Sequence, residues 1–229
     1  MRQVVNAMFY VVRSGIQWRM MPKEYPKWSS VYYYFRKWTQ LGVWQQIHDR
    51  LRAQVRQRSG RHKHATGGSI DSQSVKGTSV PGIRGYDANK KIKGRKRHLL
   101  VDTLGLVMKV TVTTADVQDR DGAQLLLSAL PGTCKSLRKI WADAAYRGKL
   151  LDWVDSKFKF KLEVVSKEKD QRGFQVLPRR WVVERTFGWL SANRRLNKEY
   201  EELPETSESM IYISMLHLML KRVARAPNY

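Results

Sequence analysis

The chain is poor in cysteine and has no long apolar run. Cys134 is its only cysteine, which excludes an intramolecular disulfide and a cysteine-rich zinc site and is typical of a reducing cytoplasm. The longest apolar run, from Met210 to Leu220, is shorter than the ~20 residues that a membrane-spanning helix needs. The N-terminus also lacks the features of an export signal. We therefore expect a cytoplasmic protein that is not associated with a membrane.

Acidic residues are scarce as well. The sequence has 20 Asp and Glu against 43 Lys and Arg, so its formal net charge is +23. Such an excess of one sign favours a polyanionic partner, and nucleic acid is a better candidate than an anionic membrane surface. The apolar fraction of 42% and the charged fraction of 28% are typical of a globular chain and not of a disordered one.

Residues 1–66 are predicted to form a basic helical segment, and Gly67-Gly68 marks its end. Ser29 or Ser30 can cap the second of its three helices. Three short helices with a glycine-containing turn resemble a helix-turn-helix module, but the pattern fits a plain helical bundle packed on the core equally well. The third helix, residues 43–58, carries Trp44, Ile47, Leu51 and Val55 on one face.

Residues 67–229 have a mixed pattern that we assign to a second, catalytic domain. Three strands in a meander are followed by helix, strand, helix, strand and helix, which is the order of a ribonuclease-H-like fold. The fold class is therefore α/β, with a mixed sheet flanked by helices and preceded by the helical segment. The predicted strands are 69–75, 98–103, 106–113, 137–142 and 160–165, and the last two helices are 178–197 and a buried 207–223.

Three acids fall on elements that this fold brings to one edge of its sheet. Asp71 lies in the first strand, Asp143 follows the fourth strand, and Glu184 lies in a late helix. Carboxylates are the hard oxygen ligands that Mg²⁺ prefers. Asp102 is instead predicted to be a turn residue, because it precedes Leu104-Gly105 in a hairpin.

The motifs around these acids resemble those of the DDE transposases of bacterial insertion sequences, in the insertion sequence five family. The resemblance covers almost the whole chain. The matching motifs are Ile-Asp-Ser-Gln-Ser-Val at 70–75, Gly-Arg-Lys-Arg-His at 94–98, Ala-Asp-Ala-Ala-Tyr-Arg-Gly at 142–148 and Glu-Arg-Thr-Phe-Gly-Trp-Leu at 184–190, with Gly-Ile-Gln-Trp-Arg at 15–19 and Pro-Lys-Trp-Ser at 26–29.

This resemblance implies a transposase that cleaves double-stranded DNA at the element's ends and joins it to target DNA. Asp71, Asp143 and Glu184 would be the catalytic acids and would hold two Mg²⁺ ions, for which Mn²⁺ can substitute. Asp71 would bridge the two ions. At least a dimer on DNA is expected, because two ends must be joined. Family members usually have a further N-terminal stretch, so a truncated form is one alternative.

Two other functions stay open at this point. The chain could be a DNA-binding remnant that has no activity and competes with the full-length enzyme. It could also be a ribonuclease-H-like nuclease without strand transfer. The intact set of acids favours activity, whereas the short N-terminus favours the remnant.

A basic segment at residues 76–97, predicted to be a loop or an irregular hairpin and called the basic loop below, is the clearest candidate for contact with DNA phosphates. The late helix adds further cations at Arg180, Arg194 and Arg195, and Tyr146 either contacts DNA or packs against the end of its strand. The cations of the basic loop are Lys76, Arg84, Lys90, Lys91, Lys93, Arg95, Lys96 and Arg97.

Overall fold

The computed structural model describes residues 1–165 and 180–224. Its helices are α1 (Arg2–Ser14), α2 (Trp28–Gln40), α3 (Val43–Arg58), α4 (Asp119–Ser128), α5 (Lys149–Lys157), α6 (Trp181–Ser191) and α7 (Pro204–Ala224). Its strands are β1 (Gly67–Lys76), β2 (Gly85–Asp87), β3 (Ile92–Asp102), β4 (Val107–Thr114), β5 (Lys139–Ala142) and β6 (Lys161–Val164).

The six strands form one mixed sheet with β1 at its centre. On one side of β1, β3 pairs antiparallel with it, and both β2 and β4 pair antiparallel with β3. On the other side of β1, β5 pairs parallel with β1, and β6 pairs parallel with β5. An antiparallel meander extended by two parallel strands is the predicted ribonuclease-H-like arrangement, which is confirmed. The sequence pattern missed β2 and the first residues of β3.

Helices cover both faces of the sheet. Alternate side chains of a strand point to opposite faces. Ile70 and Leu100 therefore pack with residues of α4 and α5, whereas Leu99 and Val101 pack with residues of the N-terminal helices, α6 and α7. The side chain of Asp71 lies on the second face, because Asp71 is paired with Leu99 across the β1–β3 ladder.

The N-terminal helices are part of the same core as the sheet. Phe35 and Trp44 belong to one apolar cluster with Leu99 of β3 and with residues of α7. In addition, a buried ion pair joins Arg56 of α3 to Asp102 of β3, with Nη1 and Oδ2 2.7 Å apart. These contacts match the helical bundle packed on the core. The domain boundary near residue 67 stays a prediction.

Several predicted details of the helices are wrong. Ile47, which was predicted to lie on the apolar face of α3, is 44% exposed, and His48 is buried instead. The buried face of α3 runs through positions 44, 48, 51 and 55. No side chain caps α2, which begins at Trp28 after Lys27. The predicted start of the late helix at Pro178 lies outside the described residues. That helix ends at Ser191, and a separate 3₁₀ turn follows at Arg194–Leu196.

The last helix is buried as predicted. Nearly every position of α7 from Thr206 to Leu216 is buried, which explains why its sequence is apolar on all sides. Of the helices that the structure describes, none is long and apolar enough to cross a membrane.

Candidate active site

The pairing of β1 with β5 brings Asp71 and Asp143 together. Ser69 of β1 lies opposite Trp141 of β5 in a parallel register. Each acid comes two residues later, so Asp71, in the middle of the longer β1, lies beside Asp143 at the edge where β5 ends. Asp143 directly follows β5, and its Oδ1 accepts a hydrogen bond of 2.9 Å from the Ala145 amide.

Asp71 has an unusual electrostatic environment. Burial raises the pKa of its carboxyl group, and the negative charge of Asp143 raises it further, to about 6. The hydrogen bond of 2.7 Å from the Ser72 amide to its Oδ1 and the positive charges of Arg180 and Lys90 offset only part of this effect. The parallel register of β1 and β5 brings the two carboxylates near each other, which accounts for this interaction. A bound cation would stabilise the ionised form of two carboxylates that lie this close together.

Helix α6 holds Glu184 at the same edge because it is anchored on the β3–β4 turn. Thr186 donates from Oγ1 to the Gly105 carbonyl at 2.8 Å, and Arg185 donates from Nη2 to the Leu104 carbonyl at 3.0 Å. Gly105 has a φ of 80°, and a Cβ there would lie 3.0 Å from both Thr186 and the Trp189 ring, so the turn requires glycine. Val183, Phe187 and Leu190 of α6 are buried, as predicted.

The opposite side of α6 is open beside Glu184. Glu184, Gly188 and Ser191 are all exposed, at positions that share one helix face. A Cβ added at Gly188 would meet no atom within 4 Å. The helix therefore leaves space next to the Glu184 carboxylate for a ligand of some size.

Arg180 joins Glu184 to the other acids. Its Nη2 donates to Glu184 Oε1 at 2.8 Å, and its Nη1 lies 3.7 Å from Asp143 Oδ2. Although burial lowers the pKa of Arg180, the hydrogen bond to Glu184 and the charges of Asp71 and Asp143 produce a net rise. The three acids and Arg180 thus form one charge cluster.

The cluster fits Mg²⁺ through two of its three acids. Within residues 1–165 and 180–224, no three His, Cys, Asp or Glu side chains form a group that could hold a metal ion. Mg²⁺ is commonly bound by one or two carboxylates together with substrate phosphate. Asp71 and Asp143 meet that requirement, whereas Glu184 is paired with the guanidinium of Arg180.

Only some of the predicted DNA contacts lie on the surface. Arg84 is half-buried and donates to the Val80 carbonyl. Arg180, a predicted contact from the late helix, is also half-buried and lies within the acid cluster. The exposed ones are Lys76, Lys90, Lys91, Lys93 and Arg194.

Three arginines predicted to contact DNA are buried instead, so this part of the prediction is wrong. Arg95 and Arg97 are each 1% exposed and contact the segment that precedes α7, because β3 starts at Ile92 and its alternation continues through them. Arg97 Nη2 lies 3.7 Å from Glu199 Oε2, and Arg195 donates from Nε to Glu201 Oε1 at 2.8 Å. These side chains neutralise buried carboxylates and stabilise the fold.

Lys96 and Tyr146 are also buried, on the other face of the sheet. Lys96 Nζ lies 3.5 Å from Asp87 and 3.2 Å from Asp119, and it donates to the Val117 carbonyl. Tyr146 is 1% exposed and belongs to the core that packs with α4 and α5. Burial, followed by the charges of nearby acids, raises the pKa of Tyr146 well above its ordinary value. Tyr146 therefore packs against the end of its strand, which is the second of the two predicted roles.

The sequence pattern missed the buried partners Glu199 and Glu201. Glu199 lies near both Arg95 and Arg97 of β3, and Glu201 pairs with Arg195. No local sequence pattern links these acids to β3. By contrast, Asp102 is the predicted turn residue, since its Oδ1 accepts hydrogen bonds of 2.9 Å from the amides of Leu104 and Leu106.

Comparison with known families accounts for most of the chain. The family described as "Transposase DDE domain" matches residues 62–220, and the family described as "Putative transposase of IS4/5 family" matches residues 1–48. Neither a curated protein nor a solved structure matches. The first match spans β1 to α7 and includes all three acids. The chain therefore belongs to the DDE transposases, of the IS4/IS5 type.

Proposed function

We propose that the protein is a metal-dependent DNA transposase that cleaves the ends of its own element and transfers them to target DNA. The observation that carries this proposal is the juxtaposition of Asp71, in the middle of β1, and Asp143, at the end of β5, in a chain of net charge +23. Family membership supports a transposase. The acid pair supports hydrolytic chemistry on a bound polyanion.

Asp71, Asp143 and Glu184 would be the catalytic acids. Asp71 and Asp143 would hold Mg²⁺ (or Mn²⁺) directly, and Glu184 would join them once Arg180 releases it, which gives the donors for two ions. Bound metal would supply a nucleophilic water near neutral pH and would stabilise charge on the departing oxygen.

The proposed reaction has two displacements at phosphorus. In the first, a water oxygen bonds to the phosphorus at the element's end, the bond to the 3′ oxygen breaks, and a 3′ hydroxyl is released. In the second, that hydroxyl attacks a target phosphodiester and displaces its 3′ oxygen. Arg180, at the centre of the acids, has the fork of donors that suits a phosphate group.

The exposed lysines of the basic loop would draw the DNA to this edge. Lys76, Lys90, Lys91 and Lys93 are exposed, and Lys90 is close enough to lower the pKa of Asp71. Contacts of this kind position DNA without reading its sequence. Two copies of the chain would act together, because both ends of an element must be joined.

Purified protein incubated with Mg²⁺ and DNA that contains the element's ends tests the proposal. We expect nicks at the ends and joined products with target DNA, both lost when the metal is chelated. Nicking without joined products would favour the nuclease, and end binding without nicking would favour the inactive remnant. Either result would overturn the proposed transposition.

A further inference from the structure

A second basic feature lies away from the basic loop and was not predicted from the sequence. A pocket of about 320 Å³ opens where α1, α6 and α7 meet. This volume is at the lower end of the ~300–1,000 Å³ range that is typical of ligand sites. Its lining includes Arg13, His217, Lys221 and Arg222 beside the Trp189 ring, and no Asp or Glu of the described residues lines it.

The positive charge of this pocket is not neutralised by ion pairs. In the part of the chain that the structure describes, Arg13, Lys221 and Arg222 make no ion pair. Burial and the charge of Arg185 lower the pKa of Arg222, and the charge of Asp102 opposes them only in part. Arg13 donates to the Ala192 carbonyl. The cations also act on one another. Burial lowers the pKa of His217, and the charges of Lys221 and Arg13 lower it further. A bound anion would relieve this repulsion.

An aromatic ring holds one arginine of the pocket in place. The guanidinium of Arg222 lies over the Trp189 ring at 4.7 Å from its centroid. Cation–π stacking of this kind fixes a guanidinium while its N–H donors stay free for a ligand. The pocket is thus a preorganised cluster of donors.

The pocket lies on the same helix as the proposed active site. Ala192, which immediately follows α6, lines the pocket, and Glu184 lies eight residues earlier. At about 1.5 Å per residue, the two positions are separated by roughly 12 Å along the helix axis. One strand of duplex DNA carries a phosphate about every 3.4 Å of its axis. A duplex bound at Glu184 would therefore have phosphates within reach of the pocket.

We propose that this pocket binds a backbone phosphate of the DNA, a few nucleotides from the phosphate that is cleaved. The inference rests on the proposed function, since it assumes that DNA lies along α6. It adds a contact surface made by the first and last helices of the described fold, which are far apart in sequence. The site reads no base, so it serves affinity and alignment and not the choice of sequence.

Salt-dependent DNA binding tests the proposal without any metal ion. The probe is a labelled duplex, and its Kd is measured by fluorescence anisotropy between ~50 and ~200 mM salt. Each lost phosphate contact lowers the slope of log Kd against log salt by about one. We expect Arg13→Ala/Lys221→Ala/Arg222→Ala to lower the slope by about two to three. A matched control removes three exposed cations that do not line the pocket, namely Lys135→Ala/Lys159→Ala/Lys161→Ala, and should leave the slope unchanged.

A second variant guards against a folding defect. Lys221 is exposed, so Lys221→Glu can reverse one charge of the pocket without disturbing the core, and it too should lower the slope. An equal slope in the wild type and the pocket variants, or an equal loss in the control, would overturn the proposal. Nicking with Mg²⁺ is scored separately. Wild-type protein that binds but never nicks contradicts the proposed catalysis, whereas nicking with unchanged slopes contradicts the pocket alone.

Discussion

The guanidinium of Arg180 donates a hydrogen bond of 2.8 Å to Glu184, one turn later on α6. The same group lies 3.7 Å from Asp143, so a protein cation is inserted between two of the three acids. In the absence of metal this arrangement balances part of the negative charge of the site. A divalent cation that binds all three acids must therefore displace Arg180, which is then free to contact phosphate.

Replacement of Arg180 should accordingly strengthen metal binding. Because the ion pair with Glu184 is partly exposed, it contributes about 0.3–1 kcal/mol, and Arg180→Ala should tighten Mg²⁺ or Mn²⁺ binding by roughly two- to five-fold. Isothermal titration calorimetry measures this affinity. Arg194→Ala removes an exposed cation just after α6 and serves as the control, with no expected change. Unchanged or weaker metal binding in Arg180→Ala would show that Arg180 does not compete with the ion.

Removal of any of the three acids should abolish cleavage while DNA binding survives. Asp71→Asn, Asp143→Asn and Glu184→Gln each remove a charged donor but keep the shape of the side chain. Loss of an acid from a basic surface does not weaken attraction to phosphate. Nicking of supercoiled DNA and duplex affinity are the two measurements, and Asp155→Asn, at an exposed position of α5, is the control. A residue whose variant cleaves normally does not belong to the catalytic set.

The exposed and the buried cations of the basic loop should behave differently. Lys90→Ala, Lys91→Ala and Lys93→Ala should each lower the salt slope of DNA binding by about one and leave stability nearly unchanged. Arg97→Ala would leave Glu199 buried with a lost partner, which costs about 3–5 kcal/mol of unfolding free energy. Urea unfolding monitored by circular dichroism measures that loss. Near-wild-type stability of Arg97→Ala would contradict its structural role.

The sequence was sufficient to predict the fold class and the elements that carry the three acids. Period-two alternation identified β1 and the β3–β4 hairpin, and the apolar run of α7 identified its burial. The burial of Arg95 and Arg97 was not predictable from such local patterns. A run of bases predicts a solvated surface unless distant acids pair with it, and Glu199 is more than a hundred residues further along the chain. Likewise, the pocket of Arg13 and Lys221 exists only because the first and last described helices meet.

Asp87 links the stability of the fold to the shape of the basic loop. Its Oδ2 accepts from Ser74 Oγ and lies 3.5 Å from Lys96 Nζ, while its Oδ1 accepts from the amides of Asn89 and Lys90. Burial alone would raise the pKa of Asp87, but these donors and the charge of Lys96 lower it to about 2. The ionised carboxylate is therefore preferred in the folded state.

This preference should make the effect of Asp87 on stability depend on pH. A carboxyl group with a lowered folded-state pKa stabilises the protein above its unfolded pKa of 3.8 and loses that contribution as pH falls through about 2. The full contribution is about 2 kcal/mol. Asp87→Asn should therefore destabilise the protein by about that amount at pH 6, and the difference from wild type should shrink steadily between pH 4 and 2. Urea unfolding at several pH values measures it, with Asp155→Asn as a control whose small effect stays flat. A constant deficit of Asp87→Asn across this range would mean that shape and hydrogen bonding, and not the charge of Asp87, hold the loop.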